Sequence, residues 1–222
     1  MSLYSPKSSK IIIFDWDDTL CPTTTLTIIN NIKNNIYVDN EILNKNKNIR
    51  NSDIMKVEIN KIDEINIKLL EKSSQLGNIV IITNAHSDWI KFSGMNYLPL
   101  TYNFIIKNNI PIISARELSL KNNIENPNEW KNYTFHIYLN HIFTYDINTI
   151  ITIGDSNAEH IALNKYNQYM KNNNVNITIN TIKYIEQPNV QDIYKQNIVL
   201  INNIDSILSN PISKTLYVKP PS

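Results

Sequence analysis

The stretch Ile11–Leu20, IIIFDWDDTL, decides how the rest of this chain is interpreted. Its first four residues, Ile11 to Phe14, form a continuous apolar run, which is typical of a strand buried on both faces of a parallel sheet. Asp15 and Asp17 follow directly. Because side chains along an extended segment alternate with a period of two, both carboxyl groups can point into one pocket while Trp16 faces away.

Similar short apolar runs recur along the chain, separated by longer stretches with helical spacing. This alternation predicts an α/β fold, a doubly wound (Rossmann-like) parallel sheet of about five strands with flanking helices. The other predicted strands are Ile79 to Ile82, Ile110 to Ile113, Ile150 to Ile153 and Thr181 to Ile185. We expect a single domain over residues 1–222, with a core of about residues 10–210 and short tails at both ends.

Several helices are predicted between these strands. Apolar residues three and four apart from Met55 to Leu69 indicate an amphipathic crossover helix that Gly77 caps. A further helix should start at Pro127 with Asn126 as its N-cap, and it carries Lys131 near its start. The remaining predictions are helices over 157–170 and 190–208, a surface excursion over 40–51 and a partly disordered tail after Pro211.

The charge balance limits the kinds of partner. The 222 residues include 21 basic and 20 acidic side chains, a net charge of +1, so no strong overall field attracts nucleic acid or an anionic membrane. Cys21 is the only cysteine, and the first residues lack the apolar stretch of a signal peptide. We therefore expect a cytoplasmic protein with no membrane association, and nucleic acid is not favoured as a partner.

Polar residues follow three of the predicted strands, at the sheet edge where ligands bind in such folds. Asp15 and Asp17 follow the first strand, Thr83 and Asn84 the second, and a Gly-Asp-Ser-Asn-Ala-Glu segment with Asp155 and Glu159 the fourth. Four carboxyl groups without histidine or cysteine form the ligand set of a hard cation such as Mg²⁺. A threonine hydroxyl and a lysine would contact phosphoryl oxygens.

These segments, in this order, resemble the motifs of haloacid dehalogenase superfamily phosphatases, which use an aspartate nucleophile. IIIFDWDDTL is similar to the first motif, Ile-Ile-Ile-Thr-Asn to the second, Lys131 to the third and Ile-Gly-Asp-Ser-Asn-Ala-Glu to the fourth. The resemblance covers about residues 11–166, and further segments are similar to a eukaryotic and viral branch of the superfamily.

The resemblance implies a role for each residue. Asp15 would attack phosphorus and become a phospho-aspartate, and Asp17 would act as general acid and then as general base. Thr83 and Asn84 would bind the phosphoryl group and Lys131 would neutralise the nucleophile. Mg²⁺ would be held by Asp15, the Asp17 main-chain carbonyl, Asp155 and Glu159.

Two departures from the family pattern leave alternatives open. Glu159 stands where the family usually has an aspartate, so it would reach the metal either directly or through water. The family often carries a cap domain after the first or the second motif, and neither of these two segments holds a convincing one here. The site is therefore expected to be open or to be covered by a partner subunit. An open site would accept either a small phosphorylated molecule or a macromolecule.

Other interpretations compete with these. A receiver domain uses similar acids, but its motifs come in a different order. A catalytically degenerate binding or scaffold protein, and a polynucleotide or protein phosphatase, stay open. Lys121 and Arg116 are alternatives to Lys131 as the cation of the site. Asp18 and Thr19 are expected to be turn residues. Cys21 is expected to be a small buried apolar residue.

Overall fold

A six-stranded, all-parallel sheet organises the chain. The computed structural model describes residues 8–46, 48–142, 147–210 and 212–219. The strands are β1 (Lys10–Phe14), β2 (Asn78–Thr83), β3 (Ile112–Ser114), β4 (Thr149–Gly154), β5 (Thr178–Lys183) and β6 (Lys214–Tyr217). Their spatial order is β3-β2-β1-β4-β5-β6, and every neighbouring pair is parallel. The predicted doubly wound α/β class is confirmed.

Helices cover both faces of this sheet. Within the described residues they are α1 (Thr23–Lys33), α2 (Asn40–Lys45), α3 (Ser52–Leu76), α4 (Ser87–Tyr97), α5 (Pro99–Lys107), α6 (Ala115–Lys121), α7 (Pro127–Ile142), α8 (Ala158–Asn172) and α9 (Val190–Ser209). None of these described helices combines the length and the apolar character needed to cross a bilayer. The connections after β1 and β2 hold helices only, in the part of the chain that the structure describes.

The central strand β1 shows why the sheet is covered twice. Ile12 and Phe14 pack into one apolar cluster, formed with α1, α3, α4, α5 and α9, whereas Ile11 and Ile13 pack into another, formed with α6, α7 and α8. All four side chains are almost completely buried. A continuous apolar run is what a strand needs when both of its faces lie in a core.

Two helix ends agree with the sequence predictions. Gly77 is the C-cap of α3, and a Cβ atom there would lie 3.0 Å from the Lys10 carbonyl oxygen, so glycine permits the close approach of this helix end to β1. At the start of α7, the Asn126 side-chain oxygen accepts a hydrogen bond of 3.1 Å from the backbone N–H of Asn128. This contact caps the helix as predicted.

The edges of the sheet differ from the predictions. The sheet has one strand more than the five or so expected, because residues 214–217 of the tail pair with β5 as a sixth strand, in the register Asn180↔Lys214. Strand β5 covers 178–183 instead of 181–185, β3 covers 112–114, and the excursion over 40–51 contains the short helix α2. Strand β6 is mostly exposed and lacks an apolar run, which is why the pattern missed it.

The strand order changes direction between β1 and β4. The chain moves outward from β1 through β2 to β3 and then returns to β4 on the other side of β1. Ligands in doubly wound sheets bind outside the carboxyl ends of the strands at this switch point. Asp15 follows β1 and Asp155 follows β4, so the fold brings these two residues to the expected position.

Candidate active site

The loop that follows β1 closes on itself through its own backbone. The Trp16 carbonyl oxygen accepts hydrogen bonds from the backbone N–H groups of Leu20 at 3.0 Å and Cys21 at 2.8 Å, and the Cys21 carbonyl accepts one from Asp18 at 2.7 Å. Asp18 adopts a positive φ of 52°, a conformation that aspartate tolerates better than most residues. This compact turn, residues 15–21, is called the Asp15 loop.

On one side of the Asp15 loop, three charged side chains meet in the interior. The ammonium nitrogen of Lys131, on α7, lies 3.0 Å from Oδ2 of Asp15 and also forms an ion pair with Glu159, on α8. Exposure is only 3% for the Lys131 side chain and 6% for that of Asp15. The Ser156 hydroxyl donates a 2.7 Å hydrogen bond to Oε2 of Glu159. Charges as buried as these are tolerated because each has a partner.

Gly154, the last residue of β4, makes room for this arrangement. A Cβ atom at position 154 would lie 2.6 Å from Cδ of Glu159, closer than real Cβ contacts allow. The Glu159 carboxyl group therefore lies directly over the glycine, where Lys131 can reach it.

On the other side of the Asp15 loop, the side chain of Asp17 is held by uncharged donors. The Thr23 hydroxyl, on α1, donates to Oδ1 of Asp17 at 2.6 Å, and the indole N–H of Trp89, on α4, donates to the same oxygen at 2.9 Å. Burial raises the pKa of Asp17, and the nearby Asp15 raises it further, against these two hydrogen bonds, which lower it. These surroundings shift the pKa of Asp17 above that of a free aspartate, and Oδ2 lies outside the two hydrogen bonds.

Asp155 adds a third carboxyl group at the switch point. Burial first, and then the negative charges of Asp15 and Asp18, raise the pKa of Asp155 to about 7, although Lys131 and Lys183 lower it. The Lys183 ammonium group donates to the main-chain carbonyl of Asp155. Negative charge at this position is therefore only partly compensated by the protein.

Thr83 and Asn84 lie at the end of β2, beside β1. The Thr83 side chain is 1% exposed, and its hydroxyl oxygen accepts a 3.1 Å hydrogen bond from the backbone N–H of Ala85. The buried Oδ1 atom of Asn84 has no hydrogen-bond partner among the described residues. The Ser114 hydroxyl donates to the Ala85 carbonyl at 2.7 Å and holds this turn from β3.

The residues at the switch point fit Mg²⁺ with few protein ligands. Among the described residues, no group of three or more histidine, cysteine or acidic side chains is arranged to hold a metal ion. Glu159 is instead engaged by Lys131 and Ser156. Mg²⁺ usually keeps several waters and binds one or two carboxylates, and the partly compensated charge at Asp155 beside Asp15 suits such a site.

Other singled-out residues have structural contacts. Asp18 accepts a 2.9 Å hydrogen bond from the backbone N–H of Thr24, as expected of a turn residue. Cys21 is fully buried and burial raises the pKa of its thiol, which agrees with the predicted apolar role. Arg116, a rival of Lys131, stacks over the ring of Trp130 at 5.7 Å.

Sequence reasoning missed several contacts of the site. Neither Trp89 nor Thr23 was singled out as a partner of Asp17, and neither Ser156 nor Lys183 was given a role. Trp89 lies 72 residues from Asp17, so only the fold reveals their contact. Ser156 lies inside the fourth motif, between Asp155 and Glu159, and this position was the one available signal.

Comparisons with known proteins add no relative to this picture. No protein-family model, no curated protein and no solved structure matches the chain. The residues at the carboxyl end of the sheet, and the resemblance of their motifs, are therefore what support a function.

Proposed function

We propose that this chain is a Mg²⁺-dependent phosphatase that hydrolyses a phosphomonoester through a phospho-aspartate on Asp15. The observation that carries the proposal is the contact between the buried Lys131 ammonium group and Oδ2 of Asp15, at the switch point of the sheet. Asp17, Thr83 and Asp155 lie at or just after the carboxyl ends of β1, β2 and β4, on the same edge of the sheet. A buried ammonium group beside an aspartate offsets the negative charge of that carboxylate and of the phosphoryl group that it attacks.

The first step transfers the phosphoryl group to the protein. An Asp15 carboxylate oxygen forms a bond to phosphorus, and the ester P–O bond breaks. The Lys131 ammonium group offsets negative charge on the attacking residue, and the backbone N–H of Trp16 donates to its Oδ1 at 2.8 Å, which fixes the orientation of the carboxylate. The Thr83 hydroxyl, which accepts from Ala85, has its own proton to donate to a phosphoryl oxygen.

Asp17 supplies and removes protons. Its raised pKa favours a protonated carboxyl group, which gives its proton to the leaving oxygen. The resulting carboxylate then accepts a proton from the water that attacks phosphorus and breaks the acyl-phosphate bond, so that Asp15 and Asp17 return to their initial states. The donors Thr23 and Trp89 occupy Oδ1, which leaves Oδ2 for these proton transfers.

Asp15, the Asp17 main-chain carbonyl and Asp155 would hold Mg²⁺. When bound, this ion supplies electrostatic stabilisation of the phosphoryl oxygens. Glu159 contributes differently in this arrangement, because its ion pair keeps the Lys131 side chain directed at Asp15.

The test measures phosphate release from an aryl phosphate with Mg²⁺, with EDTA, and with the Asp15→Asn variant. We expect activity only with Mg²⁺, and a loss of about 10³-fold or more in Asp15→Asn. Asp88→Asn is the matched control, because the Asp88 side chain is 91% exposed on α4 and lies outside the site. Acid quenching with ³²P-labelled substrate should trap an alkali-labile label on the wild type and none on Asp15→Asn.

The same experiment separates the proposal from a degenerate binding protein. A chain that lacks turnover and forms no labelled intermediate with aryl phosphates, nucleotides, sugar phosphates or phosphopeptides would contradict the proposed reaction. Equal activity of Asp15→Asn and wild type would contradict the role of Asp15.

A further inference from the structure

A deep groove lies between α1, the start of α3 and the turn that joins α4 to α5, and it shares no residue with the candidate active site. Its volume is about 670 Å³. Apolar side chains from these elements form most of its wall, among them Leu26, Ile29, Ile49, Met55 and Ile59. Small-molecule sites in proteins have volumes of about 300–1,000 Å³ and predominantly apolar walls, so the groove has the size and lining of a ligand site.

The charged residues of the groove all have the same sign. Lys33 at the end of α1, Arg50 before α3 and Lys56 on α3 line it, and all three are exposed. No aspartate or glutamate is among its lining residues. In the ranges that the structure describes, none of the three cations has an ion pair or a side-chain hydrogen bond, whereas several other lysines do.

This combination is unusual for a chain with nearly balanced charge. Three cations that line one groove repel each other, and those parts of its apolar wall that face water cost free energy. An anionic group beside the cations would reduce their repulsion, and a hydrocarbon chain on the apolar wall would remove apolar surface from water. A neutral or cationic amphiphile would cover the apolar wall but would not reduce the repulsion between the cations.

We propose that this groove binds a small amphiphile with one hydrocarbon chain and an anionic head group, of which a fatty carboxylate is the simplest example. The chain lies along Leu26, Met55 and Ile59, and the head group lies among Lys33, Arg50 and Lys56. This site is independent of the proposed phosphatase reaction.

The test measures binding to the full chain by isothermal titration calorimetry, with octanoate, decanoate, decanol and decyltrimethylammonium as probes. We expect saturable binding of one decanoate per chain. Octanoate, with two fewer methylenes, should bind more weakly, by about fourfold per methylene. Decanol should bind more weakly than decanoate, and decyltrimethylammonium weakest of all.

Two variants locate the binding. Asn60→Trp places a ring into the groove from an exposed lining position, so it should abolish decanoate binding without disturbing the core. Lys56→Glu should weaken decanoate binding by about three- to tenfold, whereas Lys68→Glu, an exposed position on the same helix outside the groove, should not. Unfolding curves of each variant verify that it is folded.

Several results would overturn the proposal. These are absence of saturable decanoate binding, equal affinity for decanoate and decyltrimethylammonium, or unchanged affinity in a folded Asn60→Trp variant. Failure of the carboxylates together with saturable binding of an acidic amphipathic peptide would assign the groove to a partner protein instead, and it would equally refute the amphiphile.

Discussion

The two sides of the Asp15 loop hold similar carboxyl groups in opposite ways. On the side of α7 and α8, Asp15 contacts a buried lysine that a second acid also binds. On the side of α1 and α4, Asp17 receives hydrogen bonds from a hydroxyl and an indole, without a cation. The two aspartates are separated by a single residue, yet each belongs to a different helical layer of the sheet.

This difference teaches how one short loop can supply two chemical roles. An aspartate beside a cation is suited to act as a nucleophile, whereas an aspartate whose pKa burial raises is suited to hold a proton. A regular extended segment would place residues 15 and 17 on the same face. The two aspartates reach opposite layers because the chain turns within the Asp15 loop, where the Trp16 carbonyl accepts backbone hydrogen bonds from Leu20 and Cys21. The environment, not the residue type, separates the two proposed roles.

The largest effect is expected when the ion pairs of Lys131 are removed. Lys131→Met leaves the carboxyl groups of Asp15 and Glu159 buried without their cation, so the free energy of unfolding should fall by about 3–5 kcal/mol and phosphatase activity should be lost. Urea unfolding and phosphate release measure the two losses.

Two further variants control this experiment. The double variant Lys131→Met/Glu159→Gln should recover part of the stability but none of the activity. Lys165→Met, which removes an exposed ion pair with Glu129, should change the free energy of unfolding by less than about 1 kcal/mol. Wild-type stability in Lys131→Met would refute the importance of the buried pairs.

A pH series sharpens the comparison at Asp155. Its pKa is about 7 in the folded chain against an ordinary value of 3.8, so the folded state binds more protons than the unfolded state between these values. The contribution of this carboxyl group to stability is therefore present at pH 4 and is lost as the pH rises through 7.

Asp155→Asn does not titrate at this position. In EDTA, its free energy of unfolding relative to the wild type should increase from pH 4 to pH 8, on the order of 3 kcal/mol in total. Thermal unfolding at several pH values measures the difference, and a difference that is constant with pH would contradict the expectation. Mg²⁺ at pH 8 should stabilise the wild type more than the variant.

Gly154→Ala is expected to disturb the charged side alone. The new methyl group would collide with the Glu159 carboxyl group and move it from Lys131, which should cost about 1–3 kcal/mol of stability. Phosphate release should fall at the same time, because Lys131 loses the partner that directs it. A variant that unfolds at the same urea concentration as the wild type would show that the close contact between Gly154 and Glu159 does not contribute to stability.

The smallest effect is expected on the uncharged side. Trp89→Phe removes one hydrogen bond to Asp17, which should cost about 1 kcal/mol. That hydrogen bond lowers the pKa of Asp17, so its loss should move the alkaline limb of the pH–rate profile to higher pH. Trp130→Phe, whose indole donates to the Ile124 carbonyl instead, should leave this limb in place.

The sequence predicted the centre of the fold better than its edges. Strands β1 and β2 contain continuous apolar runs and β4 contains one interrupted by Thr152, all of them buried on both faces, and such runs are visible in any sequence. Strand β6 is mostly exposed, and its place depends on backbone pairing with β5, which no side-chain pattern encodes.

The same limit applies to the candidate site. Asp15, Thr83 and Asp155 were singled out because each follows a predicted strand, and Lys131 because its position resembles a motif. The partners of Asp17 and the pairing of Glu159 with Lys131 arise between helices that are distant in the chain. Only the packed structure brings those donors and acceptors together.

The backbone bonds inside the Asp15 loop have a consequence for hydrogen exchange. The amide protons of Leu20 and Cys21 are bound to the Trp16 carbonyl, and all three residues are fully buried. These amides should exchange with solvent deuterium as slowly as those of β1, although they belong to no strand or helix. A loop with this protection keeps its shape in the free protein, so a substrate would meet a site that is already ordered.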